Sequence, residues 1–146
     1  MKSKEFYNLS AWKKCAKYIK LKLCDNNYLV RCYTCGKSML ITDKKCHAGH
    51  WIKVFDTNST NFSVAFEEEN IGINCHQCNV YSGGRQDIMK EKLIQRYGKK
   101  SIDNLLIKKH NYCKLDIVSL VYWDQHYEKK LKQLIEKKGN PWKKKK

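Results

Sequence analysis

No window of the chain holds the roughly 18 consecutive apolar residues that a membrane span requires, and Met1-Lys2-Ser3-Lys4-Glu5 leads into no uninterrupted apolar stretch. Neither membrane insertion nor export is expected, which places the protein in the cytoplasm. Acidic residues are scarce: 14 Asp and Glu stand against 30 Lys and Arg, a formal charge of +16. No internal repeat is present, so a solenoid is excluded, and the only low-complexity segment is the expected disordered tail Lys143-Lys144-Lys145-Lys146. What remains is ample for one core. The 146 residues are 42% hydrophobic and 12% aromatic, with 30% charged residues to solvate the surface.

An excess of positive charge on this scale points to a polyanionic partner. Nucleic acid is the first candidate, because each phosphate neutralised releases a condensed counterion; charge alone does not choose between DNA and RNA. Anionic lipid is disfavoured, since no basic amphipathic segment carries bulky apolar anchors.

Eight cysteines do not make a secreted disulfide scaffold in a chain of this length without a signal peptide. Four of them form two tight pairs, Cys32-Tyr33-Thr34-Cys35-Gly36 and Cys75-His76-Gln77-Cys78-Asn79. This is the spacing of zinc knuckles, in which four thiolates surround Zn²⁺ tetrahedrally and Gly36 suits the tight turn. A structural Zn²⁺ at Cys32, Cys35, Cys75 and Cys78 is preferred over a redox Cys-x-x-C or unrelated thiols. Four thiolates leave no open coordination position, so this ion is expected to hold the fold and perform no chemistry. Cys15, Cys24, Cys46 and Cys113 read as small buried hydrophobes.

Periodicity predicts a helix over residues 11–23, capped by Ser10, with Trp12, Cys15, Ala16, Ile19 and Leu23 on a packing face and lysines on the other. Short strands are expected at 29–32 and 38–41 around the first knuckle. Two further strands, at 50–55 and 62–66, are separated by the polar run 56–61. A helix should start near the second knuckle and break at Gly83-Gly84. Others follow over 86–97, ended by Gly98, from Ser101, and over 116–138, ended by Gly139 and Pro141. The fold class is α+β, in three parts: an N-terminal basic helix within 1–28, a zinc module over 29–98, and a C-terminal helical extension over 99–146.

Between the knuckles lie His47-Ala48-Gly49-His50-Trp51 and Glu69-Asn70-Ile71, and Asn79 follows the last cysteine. A zinc-pinned hairpin followed by a helix can bring His50 and Asn79 to one cleft. A neutral imidazole can take a proton from water, and a carboxamide oxygen can hold a hard divalent ion such as Mg²⁺. A general base alone contributes about 10²- to 10⁴-fold, too little for a phosphodiester, so a metal is also required.

These residues, with Lys17-Tyr18-Ile19-Lys20-Leu21-Lys22, Phe66-Glu67-Glu68-Glu69-Asn70 and Tyr97-Gly98, resemble the phage lambda NinG (Rap) recombination proteins within the HNH, or ββα-metal, nuclease superfamily. The resemblance covers about residues 12–98. It implies a zinc-stabilised treble-clef (HNH-like) module that cuts DNA at branched, Holliday-junction-like recombination intermediates, in the host cytoplasm, with Mg²⁺ or Mn²⁺. By that resemblance His50 is the general base, Asn70 braces the hairpin or orients His50, and Asn79 binds the catalytic ion. Many HNH enzymes carry Asp or His where this chain has Gly49. His47 stands where nonspecific ββα-metal nucleases have Asp in Asp-x-Gly-His, which makes it either a ligand or a supporting group. Junction resolution usually needs two paired cuts, which makes a homodimer attractive, but no segment demonstrates a self-complementary interface and the oligomeric state stays open. A non-catalytic zinc-containing DNA-binding recombination factor and a sequence-preferring HNH enzyme are the alternatives.

Around this constellation, Arg85 is read as a phosphate clamp or a solvated cation, and Lys143, Lys144, Lys145 and Lys146 as sequence-blind DNA contacts. His76, inside a knuckle, is exposed, phosphate-contacting or incidental. His110 and His126 fall outside the site. Trp51 and Trp142 are expected to pack rather than to stack on bases.

Overall fold

The computed structural model describes residues 1–57, 59–80 and 85–144; the expected break at Gly83-Gly84 and the tail residues Lys145 and Lys146 lie outside them. The chain opens with α1 (Ser3–Asn8), whose start is fixed by the Lys2 N–H donating to the Glu5 carboxylate at 2.7 Å. Phe6, on its inner side, has no exposed surface. α2 (Ser10–Leu23) follows at once. Leu9, in an extended conformation, occupies the N-cap, so Ser10 is the first helical residue and not the cap that the sequence suggests.

α2 is covered on more than one side. Trp12, Cys15 and Ile19 face the sheets as expected, but Leu21 is also fully buried. The reason is α6 (Ile117–Lys138), begun by the Asp116 carboxylate accepting the Ser119 N–H at 2.9 Å. This helix lies along α2 and buries Tyr127 in the same core as Phe6 and Ile73. Its last lysine, Lys138, donates from Nζ to the Leu21 and Cys24 carbonyls at 2.7 and 3.0 Å. It thereby satisfies acceptors that the end of α2 leaves over. The expected amphipathic face of α6 is only partly used. Leu131, Leu134 and Ile135 pack on the core, whereas Ile117 and Val121 are exposed.

Two antiparallel hairpins carry the rest. β1 (Leu29–Arg31) pairs with β2 (Ser38–Leu40), Leu29 opposite Leu40, and between them runs the first knuckle, with Gly36 at φ +76°. β3 (Cys46–His50) pairs with β4 (Ile71–Cys75), from Cys46 opposite Cys75 to His50 opposite Ile71.

The strands expected at 50–55 and 62–66 do not form. Residues Phe62–Val64 and Glu68–Asn70 are 3-10 turns, and Phe55 and Thr60 share one isolated bridge. β4 escapes a period-2 reading because all five of its residues are buried, Gly72 and Asn74 included. The connection from β3 to β4 instead packs under α4 (Gln86–Tyr97) and α5 (Lys99–Lys109). Ile52 and Val64 there meet Met89, Leu93, Ile102 and Leu105 in a second apolar cluster. α5 begins two residues before Ser101. No helix among the described residues is long and apolar enough to cross a membrane.

Candidate metal centre and active-site cleft

The hairpin of β1 and β2 brings Cys32 and Cys35 to one point. The end of β4 and the start of α3 (His76–Val80) bring Cys75 and Cys78 to the same point. All four sulfurs lie within 4.8 Å of one another, and Cys35 Sγ is 3.9 Å from Cys75 Sγ. Sulfurs bound to one tetrahedral Zn²⁺ at about 2.3 Å sit about 3.8 Å apart, so the donor set fits the ion. Three of the four are buried and Cys35 is exposed. Burial pushes the Cys32 thiol up, but backbone N–H groups of Cys35, Cys75 and Thr34 outweigh it and bring it to about 7. Burial and the crowded neighbouring sulfurs push Cys78 the other way. A dication removes that conflict by favouring all four thiolates. Asn74, fully buried beside them, accepts from the Thr34 hydroxyl at 3.1 Å.

Of the remaining cysteines, Cys15, Cys24 and Cys46 are buried as the sequence suggests. Cys113 is half-exposed.

A cleft of about 720 Å³ runs along β3. Every residue from Cys46 to His50 lines it, so it is open to both faces of that strand. Asn79 from α3, Trp12 and Lys20 from α2, and Lys44 and Lys53 complete much of its wall, and no Asp or Glu is among its lining residues. A larger hollow of about 920 Å³ lies between the first knuckle and α4, but it holds no imidazole. The smaller cleft is the one that gathers His47, His50 and Asn79.

His50 and Asn79 both line this cleft, but from opposite faces of β3, and the shared pocket expected for the pair is not formed by direct contact. Strand alternation sends His47 and Gly49 to one face and His50 to the other. His50 is only 8% exposed; its Nε2 lies 2.8 Å from the Ala65 carbonyl and its Nδ1 is buried without a partner. Trp12 packs over the imidazole at a centroid distance of 4.5 Å, with Phe6 and Tyr7 of α1 beyond it. Burial, partly offset by the Ala65 carbonyl, pushes His50 down to about 4, so the ring is neutral at pH 7.

Asn70 is a brace. With no exposed surface, its Oδ1 accepts the Ile52 N–H at 2.7 Å, and its Nδ2 donates to the Ile52 and Val64 carbonyls at 3.0 and 3.1 Å. It locks the entry and exit of the β3–β4 connection and makes no hydrogen bond to His50.

Asn79 meets His47. The Asn79 Nδ2 is 3.3 Å from His47 Nδ1, and His47 Nε2 is 3.3 Å from His76 Nδ1. Burial first, and then the nearby His76 and the Lys20 ammonium, push His47 down, toward the neutral ring. Gly49 is what admits Asn79: a Cβ there would sit 3.1 Å from Asn79 Oδ1. The donors present, one imidazole nitrogen and one carboxamide oxygen beside open cleft, fit a divalent ion that takes its remaining ligands from water or phosphate.

Arg85 sits at the N-cap of α4 with φ +38°; its guanidinium reaches Asp87 at 3.4 Å and is exposed. Lys143 and Lys144 are exposed beside a separate hollow near Tyr28 and Pro141. Trp51 and Trp142 pack against the cores, beneath Lys90 and Lys17.

Two features were not legible in the sequence. One is the α1 cover over His50, which carries no apolar period. The other is the approach of Lys20, Lys44 and Lys53 to a common cleft from three distant segments. Burial lowers the Lys20 ammonium's affinity for its proton.

With this geometry in hand, comparison with known families matches residues 1–138 to NinG, described as bacteriophage lambda NinG protein. No curated protein and no solved structure matches the chain at a significant level. The match spans nearly the whole sequence, and the chain therefore belongs to the NinG family.

Proposed function

We propose that the protein is a metal-dependent DNA endonuclease of the HNH type, acting in phage or prophage recombination on branched DNA. Its β3–β4 hairpin and α3 would form the ββα unit of a treble clef pinned by structural zinc. The observation that carries this reading is the cleft along β3, where two imidazoles, one carboxamide and three lysines gather beside a thiolate cluster.

The roles follow from the chemistry of each group. Lys20, Lys44 and Lys53 attract the phosphodiester backbone without reading sequence. Asn79 and His47 hold a divalent ion, which when bound supplies charge stabilisation at the phosphoryl and leaving oxygens. Mg²⁺ and Mn²⁺ both serve in principle; an imidazole donor with no carboxylate suits Mn²⁺ better. Neutral His50 accepts the proton of the attacking water. Its buried Nδ1 can do so only when Trp12 and α1 move aside. Asn70 holds the connection that carries His50's carbonyl partner.

The burial of His50 is also the observation that favours a second reading: a catalytically silent zinc module that binds branched DNA and assists strand exchange. Side-by-side nicking of labelled four-way junction, flap and linear duplex, by wild type and His50→Ala with binding followed in parallel, separates the two. The nuclease reading expects Mn²⁺- or Mg²⁺-dependent nicks strongest on the branched substrates and lost in His50→Ala. Binding without any nick supports the silent module.

A further inference from the structure

His76 lies inside the second knuckle, where Cys75 and Cys78 supply the sulfurs of the four-cysteine cluster. Its ring points instead at His47, with Nδ1 3.3 Å from His47 Nε2 and ring centroids 5.2 Å apart. The other nitrogen of His47 faces the Asn79 amide at 3.3 Å. His47 is thus held from both sides, by two residues of one short helix.

A neutral imidazole carries one proton, and its place is decided by its neighbours. The Asn79 Nδ2 is a donor, so the His47 Nδ1 facing it must offer a lone pair. The proton then sits on Nε2 and is donated to His76 Nδ1. A cation replacing that amide N–H would find the His47 Nδ1 lone pair already aimed at it, with the Asn79 oxygen on the same carboxamide. Metal-binding histidines usually donate their second N–H to an acceptor that fixes tautomer and ring angle; loss of such an acceptor costs about 10- to 100-fold in metal affinity.

We propose that His76 is a positioning residue for the cleft cation: by accepting the Nε2–H of His47 it sets the tautomer that presents Nδ1, beside Asn79, to a divalent metal. The inference rests on the endonuclease reading for the identity of that cation as the one used in cleavage.

The test uses the full-length, zinc-loaded protein with Mn²⁺ as probe. Free Mn²⁺ is measured by electron paramagnetic resonance for wild type, His76→Leu and His76→Gln, with zinc content checked in each. The tautomer of His47 is read from its ¹⁵N shifts in wild type. The expected result is His47 protonated on Nε2, Mn²⁺ affinity about 10- to 100-fold weaker in His76→Leu at unchanged zinc content, and most of that loss recovered by His76→Gln, which restores an acceptor. His47 protonated on Nδ1, no Mn²⁺ binding by wild type, or equal affinities in the Leu and Gln variants would overturn the proposal. Should His76→Leu fail to fold, the wild-type tautomer and the His76→Gln affinity still decide. Mn²⁺ bound in the expected pattern with no cleavage of any DNA supports the positioning role and refutes the nuclease reading alone.

Discussion

The Asn70 carboxamide makes three hydrogen bonds to backbone groups of Ile52 and Val64 and has no exposed surface. Truncating it leaves the buried Ile52 N–H and C=O unpaired, each costing about 1–3 kcal/mol, while the Val64 carbonyl keeps the Glu67 N–H at 3.4 Å. Asn70→Ala is therefore expected to lower stability by several kcal/mol, read from chemical denaturation; a loss below about 0.5 kcal/mol would refute the bracing role. His50 makes a different residue-scale prediction. Its folded-state value near 4 lies below the unfolded value near 6.5, so the unfolded chain binds the proton first. Stability present above pH 6.5 is lost as the pH falls through that window, by up to about 3 kcal/mol. Measured against His50→Gln, which does not titrate, wild type should lose this extra stability between pH 6.5 and 4; parallel curves would contradict the buried, neutral ring. His50, Asn70 and Asn79 stand out as candidates in the sequence because few residue types can serve as a base, a carboxamide brace or a hard-cation ligand. That Asn79 meets His47 and not His50 was not legible, since it depends on which face of β3 each side chain takes.

Among the elements, the two knuckles are the joints. The cysteine spacing was fully legible because tetrahedral thiolate geometry tolerates few alternatives. The strands next to it were less so. β4 reads Ile-Gly-Ile-Asn-Cys, and its buried Asn74 imitates the polar half of an alternation that burial on both faces removes. The helices over 86–97 and 116–138 were predicted within a residue, because caps and long apolar periods mark them. α1 spans six residues, has no long apolar period and starts after Lys2 rather than a Ser, Thr, Asp or Asn, and was missed. The elements depend on the four-cysteine joint unequally: β1–β2 and α3 are short and meet at the sulfurs, whereas α2 and α6 hold each other through Tyr127, Lys14–Asp124 and Lys138. Cys78→Ser or chelation is expected to abolish one bound zinc and loosen the knuckles and α3, seen as fast amide exchange there, while α2 and α6 retain protection longest. Uniform protection after chelation would contradict a structural zinc.

At the scale of the molecule, a formal charge of +16 and a lysine-lined cleft make a surface suited to a phosphate backbone. Each lysine–phosphate pair removed should reduce the slope of log affinity against log salt by about 0.9 on duplex DNA. Replacing Lys20, Lys44 and Lys53 by Gln should flatten that slope by up to about three such steps. Removing Lys143–Lys146, which starts beside a different hollow, should flatten it separately and without altering cation binding. An unchanged slope in the cleft variant would show that DNA lies elsewhere. Composition points to a polyanion; the cleft that concentrates the charge arises only when residues from α2, the turn before β3 and the β3–β4 connection meet. In the proposed function this cleft cleaves DNA with a cation gripped by Asn79 and His47. The most direct test is single-turnover nicking of a labelled four-way junction by zinc-loaded wild type and Asn79→Ala, with and without Mn²⁺. Mn²⁺-dependent nicks by wild type and none by Asn79→Ala are expected, at equal zinc content and equal DNA binding. Equal nicking by the two proteins, or a wild type that binds the junction and never cuts it, would contradict that function.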